Sequence, residues 1–165
     1  MKKIQTIGII SDTHDNLPNV HIAVNIFNGN KVSLVIHCGD FVAPFTLVAF
    51  KELQCPLIGV FGNCDGEQKY LLTQARNFDF SIHQPPFVTN INDKIVFITH
   101  KPMLPEIKTD ILLYGHTHKP IVKHGSSKHG PKLIINPGEA SGWLYNKPTI
   151  AILNVEKNQV EIIPL

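Results

Sequence analysis

Three short apolar runs at the front of the chain, Thr6–Ile10, Val32–Ile36 and Pro56–Phe61, are each followed by a polar cluster and then by a segment with helical periodicity. Near-continuous apolar runs of this length suit strands buried on both faces, which is the condition of a parallel sheet covered by helices. Pro18 is placed to open the first helix, which puts Val20, Ala23, Val24 and Phe27 on one face and stops at Asn28-Gly29-Asn30. A second helix is expected from Pro44, with Phe45, Val48 and Ala49 inward, closing before Cys55-Pro56. A third is expected over Glu67–Asn77. Three successive βα units require a parallel sheet with right-handed crossovers.

The second half reads as strands: Phe87–Ile91 and Lys94–Thr99 as a hairpin turning at Asn92-Asp93, then Asp110–Tyr114, Ile121–His124, Lys132–Ile135, Thr149–Val155 and Gln159–Ile163. Many strands with few helices call for a second sheet packed on the first. The expected fold class is therefore α/β, with two packed, mostly mixed β-sheets flanked by helices, in a single domain over residues 1–165.

The polar clusters carry the chemistry. Asp12 and His14 follow the first strand, Asp40 the second, Asn63 the third, His100 a later one, and His116 with His118 another. In an open parallel sheet, ligands gather beyond the carboxyl ends of the strands, so residues about a hundred positions apart can meet there. Each cluster alone has an ordinary reading as a turn former, a helix cap or a structural histidine. Seven carboxylate, amide and imidazole groups at five strand ends, with no thiolate among them, point instead to a two-metal hydrolytic centre. Phosphoester hydrolysis is the chemistry that suits it.

The global numbers restrict the alternatives. A chain of 165 residues with 43% apolar and 17% charged residues can bury a real core. The net charge is +2, with no stripe of Lys or Arg, so nucleic acid gains no electrostatic support as an obligatory partner. No apolar stretch has the length of a signal peptide or a membrane span. Cys38, Cys55 and Cys64 are odd in number and lack CxxC spacing, which argues against a disulfide framework. The expected location is the cytoplasm, with no membrane partner.

The order D-x-H (Asp12, His14), G-D (Gly39-Asp40), G-N-x-D (Gly62-Asn63-Cys64-Asp65), a lone His100 and G-H-x-H (Gly115-His116-Thr117-His118) resembles the calcineurin-like metallophosphoesterases. Asn136-Pro137-Gly138 is similar to the loop those proteins carry after their final ligand, so the likeness runs from about residue 4 to residue 140. It is nearest to the small phosphodiesterase branch, which also contains the metallophosphoesterase-like subunit of retromer. The resemblance implies one metal ion on Asp12, His14, Asp40 and His118, and a second on Asp40, Asn63, His100 and His116, with Asp40 shared. It also implies a small phosphoester substrate, hydrolysed by a metal-bridging hydroxide in line with the leaving group. Mixed nitrogen and oxygen ligation leaves Mn, Fe, Co, Ni and Zn open, and Mn²⁺ is the expected activating ion.

The chain departs from the family pattern at three places. Cys64 stands where much of the superfamily has a His that assists the leaving group. Lys101-Pro102-Met103-Leu104-Pro105 replaces the usual continuation after the lone His, and two prolines there argue against a helix. Glu139 stands where Ser commonly follows N-P-G. No site role is expected for His21, His37, His83, His124 or His129; His83, His124 and His129 are placed in loops or turns. A protein-interaction scaffold with little catalysis is the alternative function, and a homodimer or protein partner stays open. A repair-type nuclease would need more basic surface. A metallo-β-lactamase centre would need an H-x-H-x-D-H cluster, which is absent.

Overall fold

The computed structural model describes residues 3–125 and 130–165. His129 lies outside them. The elements run β1 (Thr6–Ile10), α1 (Leu17–Gly29), β2 (Leu34–His37), a 3₁₀ helix (Pro44–Phe50), β3 (Leu57–Val60), α2 (Gln68–Asn77) and β4 (Ser81–His83). Among the described residues seven strands follow: β5 (Phe87–Ile91), β6 (Lys94–Ile98), β7 (Ile111–Leu113), β8 (Pro120–His124), β9 (Leu133–Pro137), β10 (Thr149–Asn154) and β11 (Gln159–Pro164). They form two sheets, ordered β11-β10-β1-β2-β3-β4 and β5-β6-β7-β9-β8. Both are mixed: β1 through β4 are mutually parallel with β10 antiparallel to β1, and β6, β7 and β9 are parallel between antiparallel edges.

Period-two alternation along the strands builds two apolar layers. Ile7 and Ile9 of β1 and Leu34 and Ile36 of β2 face Val96, Ile98, Leu113 and Ile135 of the second sheet. Ile10 and Val35 face the other way, onto Val24 and Phe27 of α1 and Leu47 and Phe50 of the 3₁₀ helix. Burial on both faces is why these strands read as continuous apolar runs.

Several expectations need correction. The helix from Pro44 is 3₁₀, and it buries Thr46, Leu47, Ala49 and Phe50, whereas Phe45 and Val48 are 53% and 41% exposed. A period of three stacks Leu47 over Phe50 and turns Phe45 and Val48 out to solvent, while Ala49 is buried as expected. β2 begins at Leu34, not Val32. β4 was not expected: at three residues, with only Ile82 buried, it is too short to show alternation. His83 therefore sits on a strand, and His124 ends β8. The hairpin turns as expected, with Ile91 paired to Lys94 and Asn92 at φ 53°. Between β6 and β7 the chain forms neither helix nor strand, as the two prolines require. Among the described residues, no helix is long and apolar enough to cross a membrane.

Candidate metal centre

All seven expected ligands lie in the loops at the carboxyl ends of β1, β2, β3, β6 and β7. These loops are stitched together by backbone: Asp12 N–H donates to Gly39 C=O at 3.0 Å, His14 N–H to Asp40 C=O at 3.2 Å, and Gly115 N–H to His100 C=O at 3.0 Å. Five of the seven, Asp12, His14, Asp40, His116 and His118, have φ between 38° and 64°. Non-glycine residues seldom adopt that conformation, and such strain gathers at functional sites. Two motif glycines are explained by closeness of approach. A Cβ on Gly62 would overlap Asp40 Oδ1, and one on Gly115 would overlap Ser11 Oγ.

The candidate ligand atoms converge. Asp12 is fully buried and accepts His116 N–H on both oxygens, at 3.2 and 3.0 Å, while its Oδ1 faces His118 Nε2 at 3.3 Å. Asp40 Oδ1 accepts Cys64 N–H at 2.8 Å. Its other oxygen, Oδ2, faces His14 Nε2 at 3.5 Å and His100 Nε2 at 3.3 Å. His100 Nε2 is 3.0 Å from Asn63 Oδ1 and 3.2 Å from His116 Nδ1. The ligand atoms of Asp12, His14 and His118 lie within 4.8 Å of one another, as do those of Asp12, Asp40 and His100.

The imidazole tautomers suit cation binding. His100 Nδ1 lies 2.9 Å from Cys38 C=O, and His118 Nδ1 2.8 Å from Glu139 Oε2. Each acceptor holds a proton on Nδ1, so Nε2 is the nitrogen turned to the carboxylates and the one that takes a cation once its own proton leaves. His14 Nε2 is buried and has no hydrogen-bond partner among the described residues. A buried nitrogen so placed between carboxylates is costly unless a cation fills the gap. Oxygen and imidazole donors of this number and closeness fit two divalent ions of intermediate hardness.

Residues 6–158 match the family model of the calcineurin-like phosphoesterase superfamily domain. The chain belongs to that superfamily. It is 40% identical to the phosphodiesterase MJ0936 of Methanocaldococcus jannaschii over 167 aligned positions, covering 96% of this chain and 98% of the relative. The solved structure of an archaeal phosphodiesterase superposes with a TM-score of 0.87 at 37% identity, covering 97% and 99% of the two chains. Vps29 of Entamoeba histolytica shares the fold with a TM-score of 0.67 at 18% identity, covering 97% and 99%. The superfamily is dinuclear and metal-dependent, and the Asp/His clusters of this chain have the composition such a centre needs.

Three further residues support the site, and none was expected to. Glu139 is fully buried, and its carboxylate accepts four donors: His118 Nδ1–H at 2.8 Å, Leu144 N–H at 3.1 Å, Tyr145 N–H at 2.7 Å and Ser141 Oγ–H at 3.4 Å. Asp65 accepts Asp40 N–H at 3.1 Å, Gly62 N–H at 2.7 Å and Val42 N–H at 2.7 Å, so it fastens the β3 loop to the β2 loop. It also holds Val42, a β-branched residue, at φ 82°. His37 stacks on Phe41 with ring centroids 3.5 Å apart; its Nδ1 accepts Gly39 N–H at 3.1 Å, and its Nε2 lies 3.2 Å from Thr13 Oγ1. Burial pushes His37 well below the usual imidazole range, so it is a neutral prop beneath the loops. The last Asp of G-N-x-D and the acid directly after N-P-G mark two of these positions in the sequence, but not what they hold.

The electrostatics set a pH dependence. Burial works against charge on Asp40, but hydrogen bonds from His100 and Cys64 N–H, with the charges of His100 and His14, outweigh it and hold the carboxyl at about 2. Burial dominates at Asp12 and raises its carboxyl. His100 is penalised by burial, yet its hydrogen bond to Asp40 and the two carboxylate charges raise it overall. Protonated His100 thus stabilises the ion-free protein below the ordinary imidazole value, and that contribution is lost as pH rises through the raised one. Ions must displace this proton. The gain in Tm on adding a divalent ion is therefore expected to grow between about pH 6 and pH 8. Thermal unfolding with and without ion across that range checks it; a gain that shrinks with pH contradicts it.

Proposed function

We propose that the chain, as one domain over residues 1–165, is a metal-dependent phosphodiesterase whose ions are held by Asp12, His14, Asp40 and His118 on one side and by Asp40, Asn63, His100 and His116 on the other. The observation that carries this reading is Asp40 Oδ2, which faces imidazole nitrogens on both sides at 3.5 and 3.3 Å while Oδ1 is occupied by Cys64 N–H. A single carboxylate oxygen so placed suits a shared ligand. When bound, two divalent ions supply Lewis-acid stabilisation of phosphate charge and a nucleophile at neutral pH; Mn²⁺ is the ion we favour, over Fe, Co, Ni and Zn.

The remaining work falls to the chain's own groups. Two carboxylates leave the loaded centre with a net positive field that draws a phosphate anion in. His100 and His118 keep their Nε2 lone pairs inward because Cys38 C=O and Glu139 hold their other nitrogens. Cys64, exposed beside the cluster, has its thiol raised by burial of the sulfur environment and by the Asp40 charge. A thiol is a weaker proton donor than an imidazolium, so the reaction relies on a leaving group that departs with little help. The 40% identity to a phosphodiesterase across nearly the whole chain supports the diester class.

Stripping the protein with a chelator and restoring Mn²⁺ tests the reading, with bis(para-nitrophenyl) phosphate beside para-nitrophenyl phosphate as substrates. Diester turnover is expected to vanish on stripping, to return with the ion and to exceed monoester turnover. Ion binding without turnover of either ester favours the scaffold reading. That reading draws on the exposed Trp143, Leu144 and Tyr145 at the rim, which also suit a homodimer or a protein partner. Three free cysteines fit a reducing cytoplasm.

A further inference from the structure

A cleft of about 330 Å³ opens beside the ligand cluster and shares Asn63 and His100 with it. Phe61, Pro85, Pro86 and Met103 supply its apolar lining. Among the described residues no carboxylate lines it, and apart from His100 its one titratable group is Lys101. Gln68 and Gln84 stand in its wall, and Gln84 Nε2 donates to Gln68 Oε1 at 2.9 Å. That bond leaves Gln84 Oε1 as an acceptor and the Gln68 amide hydrogens as donors, side by side. The segment after His100 carries no helix, so this flank of the centre is open, with Met103 45% exposed.

We propose that this cleft receives the second ester group of the diester substrate, and that the group is an uncharged aromatic ring with a hydrogen-bonding edge, of the nucleobase or aryl class. The inference rests on the phosphodiesterase reading and names what that site selects. A phosphate held at the ligand cluster lies at the mouth of the cleft because Asn63 and His100 belong to both. The volume is at the lower end for small-ligand pockets and accommodates one ring system. Proline faces and a methionine sulfur are favourable partners for an aromatic ring. The Gln68–Gln84 pair offers a donor beside an acceptor, the pattern a heterocycle edge presents in reverse. The absence of carboxylates from the lining gives a cationic substituent nothing to pair with. A monoester has no group to place here, which gives the diester preference a structural cause.

The test is steady-state kinetics of the Mn²⁺-loaded full chain on three diesters with one shared leaving group: the para-nitrophenyl phosphates of thymidine, of phenol and of methanol. The thymidine and phenyl esters are expected to show KM about tenfold below the methyl ester. Met103→Trp, which fills the cleft from an exposed position, should remove that advantage while changing the methyl ester by no more than about twofold. Gln84→Ala should raise KM for the thymidine ester and leave the phenyl ester as it was, which separates reading of a heterocycle edge from ring burial alone. Equal KM for all three esters, or variant effects of the same size on all three, overturns the cleft assignment and leaves the phosphodiesterase standing. No turnover of any ester by the unaltered protein overturns the phosphodiesterase reading itself.

Discussion

Asp40→Asn is expected to lower kcat/KM for a para-nitrophenyl diester by about 10³-fold or more, with the protein still folded. The amide keeps an oxygen to accept Cys64 N–H, as Asp40 Oδ1 does at 2.8 Å. At the Oδ2 position it then presents N–H donors where a cation ligand is needed. His14 and His100 both face that atom, so one substitution disturbs both halves of the centre. A second signature separates this from general damage. The Asp40 carboxyl is held at about 2, below its ordinary 3.8, so in the ion-free protein it contributes stability present above that ordinary value and lost as pH falls towards the lower one. The variant should lose this acid-side slope. Chemical denaturation at a series of pH values, beside the kinetics, reads both effects; a variant with near-normal turnover removes Asp40 from the shared position.

Glu139→Gln is expected to weaken divalent-ion affinity about 10- to 100-fold, chiefly for the ion on the His118 side. Four donors converge on this buried carboxylate. A group that only accepts satisfies all of them, whereas a glutamine must turn its own N–H₂ towards at least one. Three of the donors share Oε2, so the amide oxygen takes that place and the N–H₂ is set against Tyr145 N–H. His118 Nδ1–H is left on a neutral, weaker acceptor that holds its tautomer and orientation less firmly. Titration calorimetry with Mn²⁺ measures the affinity. The ¹⁵N shifts of His118 in the ion-free protein report the tautomer directly, a readout that mere loosening of the loop would leave in place. Unchanged shifts with unchanged affinity remove Glu139 from the positioning role.

The candidate ligands could be singled out in the sequence because their signal is local. Each residue type carries its own chemistry, and each follows an apolar run whose end can be placed to within a residue or two. Glu139 was not readable as a support, because its partner His118 lies 21 positions earlier and the two meet only through the pairing of β8 with β9. The same holds for Asp65, whose acceptors are used by backbone from two different loops. His37 reads as one more residue of a buried strand, and only the packing reveals that its ring props the Asp12–Asp40 loops.

In the fold, the two-sheet α/β architecture followed from runs that are apolar throughout at β1, β2 and β3. The errors fell on short elements. Ser81–His83 pairs with β3 along a single register of three residues, which leaves no pattern to detect. From Pro44 to Phe50 the sequence suits one helical period about as well as the other. The choice is made by packing, since Leu47 and Phe50 fill the space beside Phe27 and Leu71.

One carboxylate, Asp40, is expected to serve two ions. A crystal soaked or grown with Mn²⁺, with anomalous differences recorded at the manganese edge, measures this most directly. Two anomalous peaks per chain are expected, one beside His14 and His118, the other beside Asn63, His100 and His116, with Asp40 between them. A single peak, or two peaks that leave Asp40 unshared, contradicts it.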